Sequence, residues 1–410
     1  MANIRPFKAI RPREDLADKI AALPYDVYSR KEAKEKVQGD TYTFLRIDRP
    51  ETQFEDDFDM YSKEAYQKAH DMLWDMVSRG EFVQDDTAIY YVYEQIMDGR
   101  SQTGIVAVAS ADDYDNAVIK KHENTREEKE LDRICHVDVC NAQTGPIFLA
   151  YRRNEIIRDE ILKAKKEKPV YQFVSDDGIS HTVWCITDSD ANNRIKDAFA
   201  GIDSIYIADG HHRCASAVKV CKKRRAQYPE YTGEEEFNFF LSVLFADEEL
   251  MIMDYNRVVK DLNGNTKEEF MDKVAEKFEL SEISKNEAKP TKKGTFGMFI
   301  DGKWYLLTYK GCVSNDPVEA LDVSVLQNEL LEPVLGILDP KTDNRIDFVG
   351  GIRGMAELEK RVNSDCVVAF SMYPTSISEL FEVADAGKLM PPKSTWFEPK
   401  LRSGLFIHGI

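Results

Sequence analysis

The chain has 410 residues, 43% of them apolar and 31% charged, which is room for two or three domains with a sizeable core. Lys plus Arg is 55 against 73 for Asp plus Glu, a formal charge of −18 that repels nucleic acid and anionic membrane, so a phosphate-bearing ligand needs a local basic cluster. Seven cysteines without a C-x-x-C pair, no apolar leader and no apolar run of membrane-spanning length predict a reducing, cytoplasmic setting with free thiols.

In chain order, Ser29 followed by Glu32 is a capping box that opens a helix at "SRKEAKEKV". "EAYQKAHDMLWDMVSRGEF" has apolar residues at helical spacing and stops near Gly80. "AIYYVYEQI" and "TGIVAVAS" are β-rich runs joined by "MDGRSQ", a hairpin. A short strand "NAVIK" leads into "KHENTREEKELDR", where Thr125 and Glu128 form a second capping box and set a helix start at about Arg126. "RNEIIRDEILKAKKE" reads as a helix, "PVYQFVS" and "HTVWCITD" as strands, and "NRIKDAFAGI" as a short helix. "IYIADGHHRCASAVKV" follows, a buried strand that becomes a helix close to Gly210. This alternation predicts an α/β class with mixed α+β character. After residue 236, "FNFFLSVLFADEELMIMDYNRVV" and "GTFGMFIDGKWYLLTYK" read as hairpins, the second with Asp301-Gly302 at its tip, around an amphipathic helix "KEEFMDKVAEKFEL". "SKNEAKPTKKG" is a loop or linker, and the proline-bearing tail "MPPKSTWFEPKLRSGLFIHGI" is expected to be irregular.

Two strand-to-helix connections carry the chemistry. In the helix after Gly210, Cys214, Ala217, Val218 and Cys221 form one apolar stripe, so Asp-Gly-His-His-Arg occupies the first turn. A helix start offers unpaired N–H groups and a partial positive charge. Gly210 admits a close ligand, and His211, His212 and Arg213 add donors; the anion such a turn suits is phosphate. Asp209 suits a metal contact, a cap, or a hydroxyl that must lose a proton. An N-cap followed by a solvated turn would read the same way. In the other connection His122 and Glu123 sit between strand and helix, and Arg126, Lys129 and Arg133 form a basic stripe, which a salt-bridged surface helix would also display. A basic turn with a carboxylate beside a phosphate-shaped turn fits phosphoryl transfer, although neither a Walker-type loop nor the protein-kinase motifs occur. No histidine pair has zinc spacing, and the tail offers Lys393, Ser394, Thr395, Lys400 and Arg402 either as a lid or as a segment tucked on the core.

"DGHHRCASA" resembles the signature of the ParB/sulfiredoxin-like superfamily, in particular its free L-serine kinases. Over its whole length the chain resembles the bacterial and archaeal family called "DUF ten-fifteen". That likeness is carried by "IRPFKAIRP", "LPYDVYS", "FLRIDRPE", "KKHENTREEKELDR", "TGPIFLAY", "DGHHRCASA", "YNRVVKDL" and "MPPKSTWFEPKLRSGL". The resemblance implies a ParB/sulfiredoxin-like nucleotide-binding core over 106–235, flanked by an N-terminal α+β region over 1–105. A C-terminal α+β region over 236–410 would contribute hairpins and a tail near the site. It implies a cytoplasmic kinase that phosphorylates free L-serine with ATP or ADP and Mg²⁺. Glu123 would be the base, with His122 beside it among the substrate-binding residues, and Asp209 would serve transfer and the metal. Gly210, His211, His212 and Arg213 would hold the nucleotide, with Arg126 or Arg133 on the substrate carboxylate. The alternative is a non-enzymatic nucleotide-binding regulator. His211 stands where sulfiredoxins keep a reactive cysteine, and the negative charge argues against a ParB-type DNA-binding role.

Overall fold

The hairpin expected at "MDGRSQ" forms the middle of the larger sheet of the computed structural model, which describes residues 1–410. Its turn residues Asp98 and Gly99 both have positive φ, 52° and 80°, the backbone that matches a two-residue turn to the twist of its strands. The chain divides into two units, Met1–Leu250 with Pro399–Ile410, and Met251–Glu398. No helix is long and apolar enough to cross a membrane.

The sheet of the first unit comprises β1 (Ile4–Arg5), β2 (Tyr90–Met97), β3 (Arg100–Ser110), β4 (Ile119–Lys120), β5 (Ile147–Tyr151), β6 (Tyr171–Val174), β7 (Ser180–Ile186), β8 (Ile205–Asp209) and β9 (Phe239–Ala246). Its spatial order is β4-β8-β5-β9-β3-β2-β7-β6, with β1 paired to β3. Strand periodicity sends alternate side chains to opposite faces. Tyr90, Val92, Ile205 and Ile207 join one core, together with Cys214, Ala217, Val218 and Cys221. On β2, Tyr91 and Tyr93 instead meet Phe406 of the tail. Both faces are covered, which is why these strands read as near-continuous apolar runs.

The longer helices of this unit are α1 (Arg30–Val37), α2 (Lys63–Ser78), α3 (Glu127–Cys140), α4 (Glu155–Ala164), α5 (Ser189–Ala200) and α6 (His211–Gln227). The Ser29–Glu32 capping box is present in both halves at the start of α1. The one expected at Thr125–Glu128 is not. Helix α3 starts from Arg126 with no side-chain cap, because the Thr125 hydroxyl donates to Glu130 and the Arg126 N–H is taken by His212.

The second unit holds an antiparallel sheet of β10 (Tyr255–Val259), β11 (Phe278–Ile283), β12 (Thr295–Ile300), β13 (Lys303–Tyr309), β14 (Ile346–Gly350) and β15 (Val368–Ser371), in the order β11-β13-β12-β15-β10-β14. Helices α7 (Lys267–Lys277), α8 (Gly354–Val362) and α9 (Ile377–Asp385) accompany it. The Asp301-Gly302 hairpin is as expected, with φ of 49° and 73°. "SKNEAKPTKKG" is a loop inside this unit rather than a linker between the two.

The run after residue 236 is not a hairpin. β9 lies parallel to β5 and antiparallel to β3, whereas β10 belongs to the other sheet, and the chain changes unit after Leu250. Two β-rich runs in succession look the same whether they pair with each other or with distant strands. Position 105 lies within β3 and position 235 between α6 and β9, both inside the first unit. The pairing of β9 with β3 and β5 ties the segments on both sides of these positions into one sheet.

Candidate functional site

Strands β4 and β8 run parallel, with Ile119 opposite Ile205 and Lys120 opposite Tyr206. Parallel neighbours release their chains at the same end of the sheet, the usual place for ligands in open α/β sheets. The turn after Lys120 and the turn after Asp209 therefore meet. A register shift between Ile207 and Asp209 against β5 marks a bulge, which takes Asp209 out of the strand's alternation. Gly210 then sits at φ 92°, ψ 32°, and a Cβ there would come within 3.1 Å of Arg213 Nε. Only glycine makes this strand-to-helix corner without strain. From it α6 runs for 17 residues, and its first internal bond is from the Cys214 N–H to the Gly210 carbonyl. The amides of His211, His212 and Arg213 thus have no acceptor within the helix.

The two turns are pinned through imidazoles. The His122 N–H donates to His211 Nε2 at 3.5 Å and the Arg126 N–H to His212 Nε2 at 3.0 Å. Each acceptor nitrogen must be unprotonated, so both rings carry their proton on Nδ1. His211 Nδ1 lies 4.0 Å from the Glu123 carboxylate. His122 is wholly buried, stacks edge-on against His211 at 4.5 Å, and makes no hydrogen bond through either ring nitrogen. Burial, only partly offset by Asp209, lowers the His122 pKa to about 4. Burial likewise holds His211 well below the ordinary value, and His212 is lowered for the same reason. The imidazoles at this helix start are neutral at pH 7.

Positive charge comes from other residues. Arg213 Nη2 stands 3.6 Å, and Lys400 Nζ 3.4 Å, from Asp209 Oδ2. Burial by itself would raise the Asp209 carboxyl, but Lys400 and Arg213 outweigh it and keep the group well below the usual carboxylate range. Arg213 is also fixed by donating from Nη1 to the Pro146 carbonyl at 2.5 Å. The tail that supplies Lys400 is anchored on either side. Gln95 Nε2 donates to the Lys400 carbonyl at 2.9 Å, and Arg402 Nη2 donates to Asp177 at 2.5 Å and to Ser175 Oγ at 3.1 Å.

His122, Glu123, Asp209, Gly210, His211, His212 and Arg213 are therefore brought together. Arg126 joins through its backbone, and its side chain is exposed. Arg133 is buried one step away. It chelates Asp132 at 2.8–2.9 Å and lies 4.0 Å over the Tyr25 ring. Burial alone would lower its pKa; Asp132 and Tyr25 more than offset this, and the net direction is up. Arg133, Tyr25, Thr144, Gly145 and Ser403 share with Arg213 the wall of a cleft of about 470 Å³, partly open to solvent. Tyr25 falls in the "LPYDVYS" stretch quoted above; Thr144, Gly145 and Ser403 were not singled out in the sequence, because their positions depend on contacts between distant segments. Cys214 is fully buried and its thiol pushed up, which suits packing rather than nucleophilic chemistry.

For magnesium, the oxygen donors are Asp209 on one turn and Glu123 on the other, and no group of three or more His, Cys, Asp or Glu is placed to hold a metal ion by itself. That set does not make an all-protein cage. It fits a Mg²⁺ that takes most of its ligands from water and substrate phosphate.

No curated protein matches the chain. Among solved structures, a free serine kinase variant in complex with AMP aligns at 16% identity over 78% of this chain and 93% of that one, with a TM-score of 0.36. A free serine kinase variant in complex with ADP aligns at 16% identity over 74% and 92%, TM-score 0.35. C-terminally truncated SbnI from Staphylococcus aureus aligns at 9% identity over 72% and 82%, TM-score 0.36. The model of the family described as "Protein of unknown function (DUF1015)" matches residues 4–324, well over half of the sequence. The chain belongs to the DUF1015 family.

Proposed function

We propose that this chain is a phosphotransferase that uses ATP or ADP with Mg²⁺ to phosphorylate free L-serine, giving O-phospho-L-serine. The observation that carries the reading is the 4.0 Å approach of Glu123 to His211 at the opening of α6, which sets a carboxylate beside an amide-lined anion site. The amides of His211, His212 and Arg213, with the Arg213 guanidinium, cradle the terminal phosphates. Glu123 accepts the proton of the serine hydroxyl as its oxygen bonds to phosphorus, and the bond to the departing ADP or AMP breaks. Asp209, ionised, contacts the metal, which supplies charge neutralisation on the phosphates when bound. Arg126, which makes no side-chain ion pair, and Arg133 at the cleft wall are the candidates for the serine carboxylate. His122 acts by holding His211 neutral and in place.

Purified protein incubated with serine, Mg²⁺ and either nucleotide is expected to yield O-phosphoserine by mass spectrometry. Glu123→Gln should lower turnover by about 100-fold or more while keeping nucleotide affinity. No phosphoserine with either donor, or undiminished turnover in Glu123→Gln, overturns the reading. Nucleotide binding without turnover would leave a regulator on this scaffold.

A further inference from the structure

The cleft that Arg133 shares with Arg213 is walled by polar groups the fold leaves unsatisfied, and two of them carry opposite charges. Asp48 lies on its wall at 3% exposure. Its Oδ1 accepts from the Thr144 hydroxyl at 2.9 Å, and its carboxylate has no other hydrogen bond and no ion pair. A carboxylate offers about four acceptor positions, so Oδ2 is left without a donor. Arg133 stands on the same wall at 6% exposure. Its two contacts with Asp132, from Nε at 2.9 Å and from Nη2 at 2.8 Å, end on one oxygen, and Nη1 donates to nothing in the protein. A buried charge short of hydrogen bonds bears a desolvation cost that the fold does not offset.

The two charges do not neutralise each other, since Asp48 and Arg133 form no ion pair. Neither Asp48 Oδ2 nor Arg133 Nη1 is among the fully enclosed unpartnered atoms of the chain, so both open into the cleft. The hydroxyls of Tyr25 and Ser403, on the same walls, also lack a hydrogen-bond partner in the protein. His136 adds no charge at pH 7. It donates from Nε2 to the Ile47 carbonyl at 3.0 Å, and burial, with Arg133 acting the same way, lowers its pKa. On the side of α6, a Cβ on Gly145 would stand 3.6 Å from Arg213 Nη1, so the cleft runs to the residue that borders the anion site.

We infer that this cleft binds the zwitterionic end of a free α-amino acid, with its ammonium on Asp48 and Thr144 and its carboxylate on Arg133. A simple anion would satisfy Arg133 and be repelled by Asp48, and a simple cation would do the reverse. A ligand whose two charges are joined through one carbon satisfies both walls at once. That the amino acid bound here is the phosphoryl acceptor rests on the kinase reading, in which its hydroxymethyl group points toward Arg213; the binding of a zwitterion does not rest on it.

Calorimetric titration of the full chain without nucleotide tests the assignment, using L-serine, 3-hydroxypropionate, which lacks the ammonium, and ethanolamine, which lacks the carboxylate. L-Serine is expected to bind saturably and each analogue about tenfold or more weaker. Asp48→Asn keeps an acceptor for Thr144 but removes the charge. It should weaken L-serine about tenfold or more and leave 3-hydroxypropionate no weaker. Should that variant fail to fold, the three ligands on the unaltered chain decide alone. No saturable binding of L-serine, an analogue that binds as tightly as L-serine, or an unchanged L-serine affinity in folded Asp48→Asn overturns the assignment. Phosphoserine formed with an unchanged KM for serine in Asp48→Asn removes the cleft and leaves the kinase. The expected binding pattern without any phosphoserine removes the kinase and leaves the cleft.

Discussion

Arg133 in the first unit and Arg257 in the second are about equally hidden, at 6% and 4% exposure, yet their pKa values move in opposite directions. Both lose water. Arg133 recovers the loss through a two-pronged bond to Asp132 and the face of Tyr25, and its charge becomes part of the fold. Arg257 recovers two carbonyl bonds and the face of Phe348 but no carboxylate. The same contrast holds for whole regions. Around α6 the cations converge on Asp209, so that a nucleotide's phosphates would compete with a carboxylate for Arg213 and Lys400. Arg257 on β10 has no carboxylate partner; the buried Asp254 just before the strand is held by Lys289 and Asn256. Burial of a cation thus moves its pKa up or down according to its counter-charge.

Asp132→Ala leaves Arg133 buried and unpaired and also removes the acceptor of the Tyr66 hydroxyl, so urea unfolding should show a loss of about 3–5 kcal/mol. Acidification comes next. His122 has a folded pKa of about 4 against 6.5 for the unfolded chain, so the unfolded state binds the proton first. Stability is full above pH 6.5, is lost as the pH falls from 6.5 to 4, and shows no further loss from this group below. For one such imidazole the slope reaches about 1.4 kcal/mol per pH unit. His122→Gln should show a correspondingly flatter profile, and an unchanged profile would mean that the ring is not neutral in the fold.

Gly210→Ala should cost about 1–2 kcal/mol from its left-handed backbone alone, and should also weaken nucleotide binding by displacing Arg213. The smallest expected change sharpens the comparison most. Arg257→Met, which removes a charge that has no carboxylate partner while keeping an unbranched apolar stem, should leave stability within about 1 kcal/mol of wild type. A loss as large as that of Asp132→Ala would show that Arg257 is a structural pair in disguise.

Much of this was legible in the sequence wherever the signal was local. The Asp98-Gly99 and Asp301-Gly302 turns, the Ser29–Glu32 cap and the helix start at Gly210 each depend on a few neighbouring residues, and each forms as expected. What failed was nonlocal. The cap at Thr125 was displaced by Glu130 and by an imidazole 86 positions away. β9 found its partners in β3 and β5 instead of in the next β-rich run. Lys400 reaches Asp209 across 191 positions, and no periodicity or motif encodes that meeting. For the site, the residue types of both turns were readable, whereas the neutrality of the imidazoles and the source of the positive charge were not, because both follow from burial.

On the proposed function, the opening of α6 holds a nucleotide's phosphates within reach of Glu123. A crystal structure of the full chain with ADP and Mg²⁺ tests it most directly. The account requires the terminal phosphate within hydrogen-bond distance of the His211–Arg213 amides, with the Glu123 carboxylate facing it across a gap that a serine hydroxyl can occupy. Phosphates bound elsewhere, or a Glu123 turned away from them, would contradict it.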